Sequence, residues 1–389
     1  MGTIQECEKK NQDSIDGKRV RELDGIRGFA ILLVLVWHYV QNATPVMPGS
    51  WLAYCFIPLR LTWTGVDLFF VLSGFLIGGI LMQTRKHANY YVAFYGRRAF
   101  RILPLYVSWL LMYIYWSRDS SGIYEPLRTS LFSSALPTWS YLCFLQNVFM
   151  TMSESFGAEF LGITWSLAVE EQFYLFMPIL IKRANRPMLW LSILFLLAPA
   201  IRMLFFLNGN RYFGPYTMLL SRIDALSLGV AVAAVLRDEI VSTWLRKRLR
   251  MIGFFGIVLS SGFIVLTLIP RHGLLMNSIG YTWIALCYAT WLLWVMIQGG
   301  SSDNVLAQFL RMPALVSLGS ISYMVYLCHQ AINNAVHAYL FGTKPVLHDL
   351  PSIIATIFSL WVVLLLAVTS NSIVEVPLMK FARRRLSYN

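Results

Sequence analysis

The sequence predicts an all-α polytopic membrane protein with about ten transmembrane helices and both termini in the cytoplasm. Three observations carry this. Of the 389 residues, 57% are hydrophobic and only 13% charged, where a soluble domain typically carries about 25% charged residues. Apolar runs recur along the whole chain, at 28–40, 66–82, 189–207, 252–269, 281–297 and 353–368, several approaching the roughly 20 residues that cross a bilayer. Most of the 32 Lys and Arg residues also fall in alternate segments between those runs, the bias expected of cytoplasmic loops.

Taken in order, the runs place helices at about 28–44, 62–82, 102–117, 166–181, 188–207, 216–236, 251–269, 276–298, 314–341 and 351–371. The first follows a charged tail with no small-residue cleavage site after it, so it reads as a retained helix and not a cleaved signal. Inner segments then hold Arg85, Lys86, Arg97, Arg98 and Arg101, then Lys182 and Arg183, and later the Arg246–Arg250 and Arg383–Arg385 clusters. The stretch 139–150 is apolar but short, and it reads as a helix lying in or dipping into the outer surface. Were it to span, every later loop would change sides, against the charge bias. Residues 1–20 form a polar cytoplasmic tail, 21–380 the membrane domain and 381–389 a basic cytoplasmic tail. The net charge of +13 is that of inner loops facing a lipid bilayer, and it predicts no nucleic-acid partner. Five scattered cysteines without a CxxC pair predict neither a disulfide framework nor a metal site.

Ionisable groups inside membrane helices are costly and mark function or pairing. His38 follows Arg27 by eleven residues, about 20° past three helical turns and roughly 16 Å along the axis. The two side chains therefore share a face. Asp67 begins the second helix and the adjacent Glu170 and Glu171 begin the fourth. Ser166, Glu170 and Tyr174 share a helix face at i, i+4 spacing, as do His329, Asn333 and His337. Arg222 and Asp224 fall in the sixth helix. One of the paired glutamates can balance Arg222. The other, or Asp67, can accept the second N–H of His38 and so fix its tautomer and raise its basicity. Trp165 or Tyr174 could stack on a sugar ring, although aromatic residues at membrane interfaces commonly act as anchors. At the inner end of the third helix, Arg97, Arg98 and Arg101, joined by Arg27, could clamp phosphate groups, although topology anchoring explains them equally. A basic cytosolic mouth with a polar pocket further out suits a large anionic donor. A transporter of a polar solute would also place charges along a membrane pathway, and a receptor or scaffold could bind a ligand there without chemistry. No Gly-x-Ser-x-Gly elbow, nucleotide loop or HExxH zinc helix is present, so serine-hydrolase and metal mechanisms lack support.

Six motifs in order carry a resemblance. They are Arg27 and His38 with ten residues between, the stretch 65–75, and Arg97-Arg98-x-x-Arg101-Ile102-x-Pro104-x-Tyr106. The others are the stretch 165–174, Arg222-Ile223-Asp224-Ala225-Leu226, and Ser320-Ile321-Ser322-Tyr323-x-x-Tyr326-Leu327-x-His329. Together they resemble the acyltransferase 3 family of integral membrane acyltransferases. The resemblance implies transfer of an acyl group, acetyl by default, from cytosolic acyl-CoA as co-substrate, with no permanently bound cofactor. The implied acceptor is a hydroxyl on a carbohydrate or lipid-linked envelope glycan, and polysaccharide biosynthesis proteins are natural partners. By position His38 resembles the family's essential histidine and Arg27 its paired arginine. His38, Glu170 and Asp67 are thus the expected catalytic group. Arg27, Arg97, Arg98, Arg101, Trp165, Ser166, Tyr174, Arg222, Asp224 and His329 are the expected substrate-binding residues. A bacterial inner membrane follows from the same resemblance. Some members carry an extra secreted hydrolase-like domain, and this chain is expected to act as the stand-alone form.

Overall fold

The structure is a computed structural model that describes residues 20–47, 50–118, 122–298 and 305–388. It contains helices and no strand among those residues. The long helices are α1 (Arg21–Val36), α2 (Gly65–Thr84), α3 (Tyr90–Arg118), α4 (Trp165–Arg183) and α5 (Pro187–Leu207). They continue with α6 (Leu219–Arg237), α7 (Leu249–Leu268), α8 (Tyr281–Gln298), α9 (Ser322–Phe341) and α10 (Leu350–Ser370). Eight helices among the described residues are long and apolar enough to cross a membrane, or nine if Pro313–Ser320 and α9, broken at Ile321, form one span. With 19 residues α4 is long enough to span, but it carries four charged residues, Glu170, Glu171, Lys182 and Arg183. The N-terminal tail, with Lys9, Lys10, Lys18 and Arg19, lies outside the described residues.

Helix ends depart from hydropathy where polar residues continue a helix. Helix α1 begins at Arg21, with Glu22 and Asp24 in its first turn, where carboxylates favour the positive end of the helix dipole. Helix α3 begins at Tyr90, so the Arg97–Arg101 cluster lies well inside a 29-residue helix. Beyond α10, a π-turn at Asn371–Glu375 leads into a helix at Val376–Arg385. Pro377 falls in the first turn of that helix, where its missing N–H removes no helical bond. The stretch 139–150 forms two short helices, Thr138–Leu142 and Gln146–Ser153. They are separated by Phe144, which adopts a left-handed φ of 53°, and neither is long enough to span.

The chain forms two compact units. The first is Met1–Leu32, Trp63–Lys86 and Gln172–Ser320. In it α2 packs along α6, which also receives α5 and α8, and α7 packs on α8. Small residues allow the closest of these approaches. A Cβ placed at Gly74 would lie 2.0 Å from the Leu226 carbonyl oxygen, and one at Gly229 would lie 2.0 Å from that of Val71. Both obstacles are backbone and cannot rotate away. Gly74→Val is therefore expected to separate α2 from α6 and lower the melting temperature in detergent by several degrees. A melt unchanged from wild type would refute this packing.

The second unit is Leu33–Thr62, His87–Glu171 and Ile321–Asn389. In it α9 packs against α10, and the C-terminal helix packs against α3. A cluster of rings, with Trp109 stacked 4.6 Å from Phe160 and with Tyr113 and Phe132 beside it, fills one end. The short helices are tied in by buried polar groups. The Tyr106 hydroxyl donates to the Tyr141 carbonyl at 2.9 Å, and the Gln146 amide donates to that of Thr164 at 3.0 Å.

Candidate active site

The polar side chains singled out in the sequence divide between the two units. In the first unit Asp67 of α2 forms an ion pair with Arg222 of α6. Both are fully buried, and the Tyr281 ring covers the guanidinium at 4.4 Å. Asp224 pairs with Arg202 at 2.9 Å and accepts from the Thr282 hydroxyl at 2.7 Å. Arg202 also donates to the carbonyls of Asn277 and Ser221. The arginine's partner is thus Asp67 and neither glutamate. Asp67, Arg222 and Asp224 read as a buried ion-pair network linking α2, α5, α6 and α8. Arg202 escaped the sequence reading, although a lone arginine within the apolar run 188–207 demands a partner.

Tyr174 also belongs to the first unit. It is buried, with its hydroxyl 2.5 Å from that of Ser73. Arg27 sits there too, 3.4 Å from Asp24 on its own helix.

In the second unit the end of α1 changes character. Trp37–Gln41 is a π-turn, a local widening that frequently occurs at functional sites. His38 lies within it, and its side-chain partner is His329 of α9, with Nε2 of His329 3.2 Å from Nδ1 of His38. The positions of the hydrogens follow from the neighbours. Nδ1 of His329 lies 2.7 Å from the Tyr326 carbonyl and 3.2 Å from that of Val325. Carbonyls only accept, so this nitrogen carries the hydrogen and Nε2 carries the lone pair. Nδ1 of His38 then faces two acceptors, Nε2 of His329 and the Val34 carbonyl at 3.0 Å. It must be the N–H, shared between them. The lone pair of His38 is left on Nε2, the form a general base needs.

Second contacts hold this dyad. The Tyr39 hydroxyl donates to the His329 carbonyl at 2.9 Å, tying the π-turn to α9. The Tyr326 hydroxyl lies 2.6 Å from that of Ser166 and donates to the Ile163 carbonyl at 3.2 Å. The i, i+4 ladder on α9 serves three purposes. His329 meets His38, Asn333 accepts from Ser359 at 2.8 Å, and His337 Nε2 lies 2.8 Å from the Thr356 hydroxyl. The last two are hydrogen bonds between α9 and α10, a common means of joining membrane helices.

The remaining expected residues are placed as follows. Trp165 is buried and offers no exposed ring for stacking. Glu170 and Glu171 lie on α4 in the second unit, and one oxygen of Glu171 is buried without a hydrogen bond among the described residues. Arg97, Arg98 and Arg101 are half-buried on α3. Arg97 is engaged by the C-terminal segment. It donates to the Leu386 carbonyl at 2.7 Å and lies over the Tyr388 ring at 4.5 Å. No group of three or more His, Cys, Asp or Glu side chains able to hold a metal occurs among the described residues.

Long apolar helices define an integral membrane protein, and a hydrogen-bonded pair of imidazoles lies within it. The chain belongs to the acyltransferase 3 family, whose acyltransferase domain matches residues 20–371. It is 27% identical over 378 residues to O-acetyltransferase OatA of Staphylococcus aureus strain NCTC 8325 / PS 47, and the match covers 92% of this chain and 57% of that protein. The same figures hold for O-acetyltransferase OatA of strain MRSA252. The chain thus spans a little over half the length of these curated relatives. No solved structure matches it.

Proposed function

We propose that the chain is a membrane O-acetyltransferase that moves an acetyl group from cytosolic acetyl-CoA to a hydroxyl of an envelope carbohydrate, with His38 as general base. The observation that carries this reading is the placement of His38 Nδ1, 3.0 Å from the Val34 carbonyl and 3.2 Å from Nε2 of His329, which assigns the hydrogen to Nδ1 and the lone pair to Nε2. The acceptor O–H gives its proton to Nε2, and the oxygen attacks the thioester carbon. The C–S bond breaks, and the departing thiolate takes the proton back from the imidazolium. Coenzyme A leaves as the free thiol and the catalyst is regenerated. Arg97, Arg98 and Arg101, close together on α3, suit the phosphates of the donor. The family match and the names of the relatives support acetyl transfer. A bacterial inner membrane, with the acceptor supplied by polysaccharide biosynthesis proteins, is the setting consistent with that reading.

The test supplies isotopically labelled acetyl-CoA to membranes containing the protein, then follows thiol release and label on extracted glycans. A transporter would release no thiol, and that result would overturn the proposal. In this mechanism His329 is a positioning residue. His329→Ala should lower kcat by roughly 10- to 100-fold, the loss seen when the hydrogen-bond partner of a metal-bound imidazole is removed. His329→Gln, which restores an acceptor, should regain part of the loss. Equal defects in both variants would assign His329 a packing role only.

A further inference from the structure

The dyad itself contains no carboxylate. His329 fixes the tautomer of His38 through a lone pair, so it orients the ring but brings no negative charge to an imidazolium. Asp67, one of the carboxylates expected beside His38, is paired with Arg222 in the first unit. A different carboxylate is tied to the dyad's own helix. Glu159 lies in the second unit, in the segment that leads into α4. Its backbone is fixed on both sides. Ala158 and Phe160 are buried, the Phe160 N–H donates to the Leu131 carbonyl at 3.2 Å, and the Trp109 indole N–H donates to the Phe160 carbonyl at 3.3 Å. The side chain is held as firmly. Oε2 accepts from the Gln330 amide at 2.5 Å, and Oε1 accepts from the Lys344 ammonium at 2.8 Å. Gln330 directly follows His329 in α9.

We propose that Glu159 is an electrostatic positioning residue for His38, its charge stabilising the imidazolium that forms when the acceptor hydroxyl gives up its proton. The proposal rests on the transferase reading above and divides between two residues what a single carboxylate does in a Ser-His-Asp triad: His329 orients the ring and Glu159 supplies the charge. The charge of Glu159 acts on His38, and a negative charge nearby favours the protonated ring. Lys344 cancels that charge incompletely. Its side chain is 65% exposed and that of Glu159 only 25%, so water screens the positive end of the pair more than the negative end. Around the dyad, the Tyr39 and Tyr326 hydroxyls donate to carbonyls, and the charge of Glu170 on α4 acts on Tyr326.

The test titrates His38 without relying on activity. Diethyl pyrocarbonate modifies neutral imidazole, and His38 is half-buried, so its modification is followed by mass spectrometry across pH in the full chain in nanodiscs. Glu159→Gln removes the negative charge and keeps the shape. It should move the half-modification pH down by about 0.5 to 1 unit, less than the 1–3 units of a charge in direct contact. Lys344→Gln removes the counter-charge and should move it up. Opposite shifts from two substitutions on one ion pair are an outcome that loosened packing cannot produce. In labelled acetyl transfer, Glu159→Gln should lower kcat by roughly three- to tenfold with KM for acetyl-CoA unchanged, and the acid limb of the pH profile should follow the modification curve. Curves that coincide with wild type, or that both move in one direction, would overturn the inference and leave His38 as the base. Opposite shifts in a protein that never releases thiol would uphold the coupling of Glu159 to His38 and overturn the transferase reading separately.

Discussion

Replacing His38 with alanine is expected to lower acetyl transfer by about 10²–10⁴-fold, the usual contribution of a positioned general base, without changing the amount of protein in the membrane. The magnitude follows from the proton inventory of the dyad. Nδ1 of His38 is committed as a donor to Val34 and His329, so Nε2 is the only ring nitrogen able to receive a proton. Alanine removes that nitrogen and leaves a space the size of the ring. Imidazole added to the medium should therefore restore part of the activity of His38→Ala, and none of that lost in a variant damaged elsewhere. Transfer within threefold of wild type would remove His38 from the mechanism. Loss without rescue, alongside a lowered melting temperature, would assign the residue to packing.

The second large effect concerns stability. Asp67 and Arg222 are an ion pair inside the membrane-spanning helices of the first unit, each side chain with at most 2% of its surface exposed. Removing one partner leaves the other charge buried and uncompensated, at a cost of about 3–5 kcal/mol in buried pairs generally. Asp67→Leu and Arg222→Met should each melt well below wild type. The double variant should recover most of the loss, because apolar replacements of similar volume need no counter-charge. Recovery is favoured by the pair's own geometry. Asp67 Oδ2 and two of the Arg222 nitrogens make no hydrogen bond among the described residues, so the pair is incompletely satisfied. Recovered folding with recovered transfer would place the pair in the scaffold. Recovered folding with no transfer would return Arg222 to the substrate.

These two experiments divide the polar residues in a way the sequence alone did not. Hydropathy located every long helix, because a bilayer imposes one length and one composition on each span. It failed at the ends of α1 and α3, where helix continues through Glu22, Asp24 and the arginine cluster. Hydropathy reports burial in lipid and is silent about helix outside it. The residue types of the site were legible for the same energetic reason that made them conspicuous, the cost of polarity in a membrane. Their pairing was not. A carboxylate was the natural candidate to orient His38, yet its partner is the imidazole of His329, 291 positions away. One-dimensional spacing speaks only for neighbours on one helix. Ser166 and Tyr174 illustrate this, since they share a face of α4 yet bond to Tyr326 and Ser73 respectively.

The order in which the chain builds its second unit has a consequence for biogenesis. That unit draws on Leu33–Thr62, His87–Glu171 and Ile321–Asn389. His38 therefore enters the bilayer early in translation and waits through most of synthesis for its partner. Until α9 emerges from the ribosome and inserts, the π-turn lacks both the His329 imidazole and the carbonyl that receives the Tyr39 hydroxyl. A nascent or prematurely terminated polypeptide, though already lodged in the membrane, holds His38 without its His329 partner.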